Sequence, residues 1–209
     1  MKKTLKRSSD KRSAPPFRIR LGGGFMLFFA LVYFFDDKGL IAALFPAVLV
    51  HEFGHIIALR LFRAYPTKLN ATLSGFALDY SGSLSEKQEM LAALAGPAFG
   101  LIFTFICAKM GAYWCSDYLL MCSGLSFLLN IFNLLPAKPL DGGRILNFAL
   151  ISAFGSASAH KVIKYAGLIT SAALISGGLF LIAKGCGFSL FTAGIWLFIL
   201  QRKNSCKYS

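Results

Sequence analysis

Two histidines and a glutamate stand in the register His51-Glu52-Phe53-Gly54-His55. On a helix, residues four apart share a face, so both imidazoles can reach one ion. Glu52 lies one residue along, close enough to hold a water there without itself being a ligand. The run around them, Leu40 to Phe62, is nearly free of other polar side chains and long enough to span a bilayer. Ionisable groups inside such a run cost several kcal/mol each, so by default they mark function. Two imidazoles hydrogen-bonded to neighbouring helices, with Glu52 neutral, would be the purely structural alternative. It gives no reason for this register.

A catalytic zinc needs a third protein ligand and an open position. His160 lies far down the chain in a basic connection and reads as a solvated loop residue. Of the nine acids, Asp10 lies in a basic tail, and Asp36 and Asp37 in a turn. Asp79, Glu86 and Glu89 lie in or beside a loop, and Asp117 opens a later apolar run. Asp141 remains, in Asn133-Leu-Leu-Pro136-Ala-Lys-Pro139-Leu-Asp141-Gly142-Gly143. Two prolines and a glycine pair break any helix there, as happens where backbone lines a polar cavity within protein. Asp141 could also be the N-cap of a helix beginning near Gly143, and capping and ligation can coexist.

Composition says what must position these groups. The 209 residues are 56% hydrophobic and 15% charged, with a mean hydropathy of +0.62. That is too apolar for a soluble domain of this size, and at 14% aromatic too rich for a disordered chain. Lys and Arg number 22 against 9 acids, a net +13. Scattered between apolar runs, they orient helices rather than bind nucleic acid. The five cysteines form no CxxC and are assigned no redox or metal role.

The expected architecture is an all-α polytopic membrane protein of about six transmembrane helices. A basic cytoplasmic tail covers 1–20, a membrane domain 21–201, and a cytoplasmic C-terminal tail 202–209. The spans fall at Leu21–Phe35, Leu40–Phe62, about Met90–Met110, Leu119–Leu135, Tyr165–Ala183 and Gly187–Leu200. With this layout 19 Lys/Arg lie on the side of the termini and 3 on the other. The positive-inside rule then puts both termini in the cytoplasm. Between spans two and three, Leu69, Ala71 and Leu73 alternate with polar residues, and Phe76, Leu78 and Tyr80 resume the alternation after Gly75. That is a small cytoplasmic-side β-hairpin, either lying at the interface or offering an edge to an extended peptide. Ala92-Ala93-Leu94-Ala95-Gly96-Pro97-Ala98-Phe99-Gly100 is a stretch of small residues suited to close helix packing.

His51-Glu52-x-x-His55, then Ala95-Gly96-Pro97, then Asn133-x-x-Pro136-x-x-Pro139-Leu-Asp141-Gly142 resembles the site-2 protease family of intramembrane zinc metalloproteases. The resemblance covers a core of about 40–150. It is most similar to the sporulation-factor branch, which cleaves the pro-sequence of a sigma factor. It implies a Zn2+ cofactor held by His51, His55 and Asp141, with Glu52 as catalytic base and Asn133 and Pro136 near substrate. It also implies a cell-membrane location, a membrane-associated protein substrate such as a pro-sigma factor, and regulatory membrane proteins as partners. The family often has Asn a few residues after Gly-Pro, where this chain has Phe99-Gly100. The branch commonly ends in a nucleotide-sensing CBS domain, and a chain stopping at Ser209 implies no such regulation. Within the family, an anti-sigma factor or signal-peptide remnants are alternative substrates. A metal or solute transporter using the same ligands belongs to another class, but no internal repeat of the transporter kind is visible. A catalytically silent scaffold would have no use for the buried Glu52.

Overall fold

A computed structural model describes residues 18–21, 36, 39–72, 75–185 and 187–205. The first expected span, apart from Leu21, lies outside the described residues, as does most of the basic tail. Strand β1 (Arg18–Leu21) is followed by helix α1 (Leu40–Leu61), then strands β2 (Tyr65–Thr72) and β3 (Gly75–Ser81). Helices α2 (Glu86–Tyr113), α3 (Asp117–Asn133), α4 (Asp141–Phe154), α5 (Ser156–Ala183) and α6 (Ser189–Ser205) complete the fold.

Local chemistry sets several of the helix ends. The Asp36 carboxylate accepts from the Leu40 and Ile41 amides at 2.8 and 2.7 Å, satisfying two donors that a helix start leaves open. Ser85 and Gln88 form a reciprocal capping box at the start of α2. Glu86 and Glu89 fill the first turn of α2, where the helix dipole favours negative charge.

Three of the described helices are long and apolar enough to cross a membrane: α1, α2 and Ser158–Ala183 of α5. Their outward faces carry exposed Phe45, Phe53, Ile102, Phe105, Ile169 and Phe180, which suits lipid rather than water. Helices α3 and α6 have 17 residues each. At ~1.5 Å per residue that is about 25 Å, somewhat less than a ~30 Å hydrocarbon core. Helix α5 begins nine residues before the expected Tyr165, so His160 is exposed on a helix rather than in a loop.

The hairpin expected over 69–80 is present and longer. β2 and β3 pair antiparallel with Leu69 opposite Leu78 and Ala71 opposite Phe76. The sequence did not suggest a third strand. Arg18–Leu21, divided above between tail and first span, pairs parallel with Lys68–Ala71, giving the order β1-β2-β3. A parallel pair needs a long crossover, and the chain from 22 to 64 supplies one.

The core joins α1, α2 and α3 tightly. Ala43, Cys107 and Cys122 form a buried cluster among them, and the Tyr118 hydroxyl donates to the Ala42 carbonyl at 3.1 Å. A Cβ on Gly54 would lie 2.6 Å from the Ala95 carbonyl oxygen, so α1 and α2 meet almost backbone to backbone. Leu197 of α6 is buried against Ala137 and Leu140, which fixes the broken segment between α3 and α4.

Candidate metal centre

Two elements deliver the three groups of the site. His51 and His55 project from one face of α1 and are both buried, with ring centroids 4.9 Å apart. Asp141 arrives from the turn after α3. In that turn the Ala137 amide bonds to the Leu135 carbonyl, and the Leu140 amide bonds back to Ala137. Gly142 and Gly143 permit the return: a Cβ on either would lie 2.0 Å from the Leu134 oxygen or 2.5 Å from the Ala137 carbonyl. The turn thereby brings Asp141 back to the histidines of α1. Asp141 is not the N-cap of its helix. That position is Leu140, without a side-chain cap, and Asp141 is the first helical residue.

The Asp141 carboxylate turns to the imidazoles instead. Its Oδ2 lies 3.1 Å from His51 Nε2 and 3.2 Å from His55 Nε2, and the two Nε2 atoms are 3.3 Å apart. The other ring nitrogens fix the tautomers. His55 Nδ1 faces the Ala92 carbonyl at 2.8 Å, an acceptor only, so Nδ1 carries the proton. His51 Nδ1 faces Asn130 Oδ1 at 2.9 Å, while Asn130 Nδ2 donates to the Ser126 carbonyl at 2.6 Å. That orients the amide oxygen toward His51, whose Nδ1 must donate as well.

With the proton on Nδ1, the neutral form of each imidazole would aim an Nε2 lone pair at the same carboxylate oxygen. Three acceptors crowded together repel unless a cation or proton sits among them. A tetrahedral ion with bonds of ~2.0–2.1 Å keeps its ligand atoms roughly 3.3 Å apart. The three observed separations match that spacing. With the outer nitrogens held by an amide and a carbonyl, the donor set suits a divalent ion of borderline softness. Glu52 follows His51 on α1, half-buried and within electrostatic reach of both histidines, Asp141 and Arg144.

The small-residue stretch of α2 also has a more specific role than packing. A Cβ on Gly96 would fall 2.2 Å from His55 Nε2, and one on Gly100 would fall 2.2 Å from the Asn130 amide. Those glycines vacate the space that the ligand ring and its partner occupy. Gly96→Ala is expected to reduce zinc affinity at least ~10-fold, the scale of losing a ligand's orientation. Gly124→Ala, where a Cβ meets nothing within 4 Å, should change nothing. Isothermal titration of both variants in detergent checks the pair.

The sequence reading missed Asn130. Its signal was present: Ser123, Ser126 and Asn130 recur at helical spacing in an otherwise apolar run, and all three are buried. Asn133 is half-buried one turn beyond Asn130, and Pro136 is half-buried in the following turn. Among the described residues neither joins the hydrogen-bonded cluster.

Comparison with known proteins agrees with this geometry. The solved structure of a site-2 protease from Methanocaldococcus jannaschii superposes with a TM-score of 0.69, over 88% of this chain and 89% of that one, at 22% identity. This chain has the site-2 protease fold. Residues 111–176, which include Asp141 and Asn130, match the family model of Peptidase family M50. A zinc metalloprotease of M. jannaschii is 29% identical over 125 residues, 57% of this chain and 36% of that protein. Rip3 of Mycobacterium tuberculosis, also named for a zinc metalloprotease, is 26% identical over 185 residues, 80% of this chain and 44% of the relative. The chain thus spans less than half the length of these curated relatives. The apolar helices and the fold together make it a membrane protein.

Proposed function

We propose that this chain is an intramembrane zinc metalloprotease that hydrolyses a membrane-associated protein near the cytoplasmic face. The observation that carries the reading is the convergence of two tautomer-fixed Nε2 atoms and one carboxylate oxygen at tetrahedral spacing. His51, His55 and Asp141 hold the ion, and the relatives' names as zinc metalloproteases support zinc as that ion. When bound, zinc polarises the scissile carbonyl and acidifies water. Glu52 accepts the proton that water gives up and returns it to the leaving amine. Asn133 and Pro136, at the cytoplasmic end of α3, steady the unwound substrate. A helical substrate must unwind there, because its carbonyls are otherwise bound within the helix.

The distribution of 19 basic residues against 3 supports a multi-pass layout with both termini cytoplasmic. His51 then lies about 16 Å from the cytoplasmic end of its span, reckoned at ~1.5 Å per residue. The motif resemblance to the sporulation branch supports the pro-sequence of a sigma factor as the substrate, with regulatory membrane proteins beside it.

Reconstituting the chain in liposomes with a pro-sigma factor, an anti-sigma factor and a signal-peptide remnant tests this. Cleavage of the pro-sigma factor that stops with a zinc chelator and resumes with added zinc is the expected result. Chelator-insensitive cleavage would sink the metalloprotease reading. Zinc flux into the lumen without cleavage of any protein would assign the ligands to transport instead.

A further inference from the structure

Asp141 uses one oxygen for the histidines. Its other oxygen, Oδ1, faces Arg144 Nη1 at 3.8 Å, one turn along α4. The same guanidinium places Nη2 3.6 Å from Glu89 Oε2, on the first turn of α2. The second Glu89 oxygen accepts a hydrogen bond from the Tyr80 hydroxyl, near the end of β3. Burial and the Glu89 carboxylate push the Tyr80 phenol up to about 12, so it remains a donor at neutral pH. A line of four side chains thus runs from the hairpin to the third member of the metal cluster, crossing three elements.

We propose that Arg144 is a positioning residue that keeps the Asp141 carboxylate turned with Oδ2 toward the histidines, and that Glu89 and Tyr80 tether it to the hairpin. The proposal rests on the metalloprotease reading of the site. Its physical basis is the asymmetry of the carboxylate. A carboxylate free to rotate about its Cβ–Cγ bond can swing both oxygens out of line with the histidine nitrogens. A guanidinium behind Oδ1 selects one orientation. At 3.6 and 3.8 Å its contacts are ion pairs rather than direct hydrogen bonds, so charge matters more than the forked shape. Arg144 is more than a third exposed on its side chain, and a free arginine there would swing into water. Glu89, far less exposed, holds it over Asp141. The hairpin then shares in the metal site without touching it, since Tyr80 fixes the oxygen of Glu89 that Arg144 does not use.

The test is a zinc titration against a competing chelator, using the full chain in detergent, with Co2+ absorption as a second readout of ligand geometry. Arg144→Gln is expected to weaken zinc binding ~10–100-fold, the usual scale for losing an outer partner of a ligand. It should also alter the cobalt band. Arg144→Lys, which keeps the charge, should recover most of that loss. Glu89→Gln and Tyr80→Phe should each weaken binding in the same direction, and neither should add to the loss in the Arg144→Gln background. A residue that only stabilised the fold would give additive losses and an unchanged cobalt band. Additivity, or wild-type zinc affinity in Arg144→Gln, would overturn the proposal. If Arg144→Gln does not fold, Arg144→Lys and the Glu89→Gln/Tyr80→Phe pair carry the same test. Failure of wild-type chain to bind one zinc would instead sink the protease reading, and this proposal with it.

Discussion

Glu52→Gln is expected to leave a chain that keeps its metal and loses its chemistry. The substitution is isosteric, and Glu52 is not one of the three groups whose ligand atoms converge. An amide nitrogen cannot take a proton from water, and an amide oxygen takes it far less readily than a carboxylate. Positioned general acid–base groups contribute typically ~10²–10⁴-fold to rate. Turnover of the reconstituted substrate should fall by at least that much while zinc content stays at one equivalent and the circular dichroism is unchanged. Because binding survives, the variant should also accumulate substrate in a pull-down, which makes it the means of finding the partner. Retained turnover would remove Glu52 from its role as base.

Asp141→Asn is expected to have the other large effect, on the metal itself. Oδ2 supplies the charged corner of the triangle, and it is nearly equidistant from the two Nε2 atoms. The amide keeps the size and loses the negative charge, so the two imidazoles face the ion with a weak neutral partner. Zinc affinity should fall by more than the ~10–100-fold typical of outer partners. After dialysis against a mild chelator the protein should retain little zinc, and cleavage should disappear with it. The fold should persist, since Asp141 makes no cap hydrogen bond to its own helix. A full zinc equivalent in Asp141→Asn would mean that Asp141 is not a ligand.

Much of the architecture was legible because a lipid solvent imposes simple rules. Runs of apolar residues must be helices there, so the bounds of α1 and α2 were recovered within a few residues. The hairpin was visible from period-two alternation. The pairing of Arg18–Leu21 was not, because four residues carry too short a pattern and their partner lies far along the chain. The early start of α5 was missed for a related reason. Ser156 to Lys164 carries two serines, a histidine and two lysines, and hydropathy marks where a helix enters lipid rather than where it begins.

What the sequence determined by itself was the chemistry: a histidine pair in helical register with an acid beside it, and one broken segment holding the single acid not otherwise placed. Residue type and local spacing are properties of the chain, and helical periodicity carries them directly into space. The tertiary structure decided the rest. It brought Asp141 within 3.1 and 3.2 Å of the imidazoles, chose their tautomers through Asn130 and Ala92, and set Arg144 between two carboxylates. Apart from Asp141 and Arg144, one turn apart on α4, those contacts join residues that no local period connects. The placement of His55, Asn130 and Asp141 also depends on glycines whose missing Cβ atoms matter only once two elements have been pressed together.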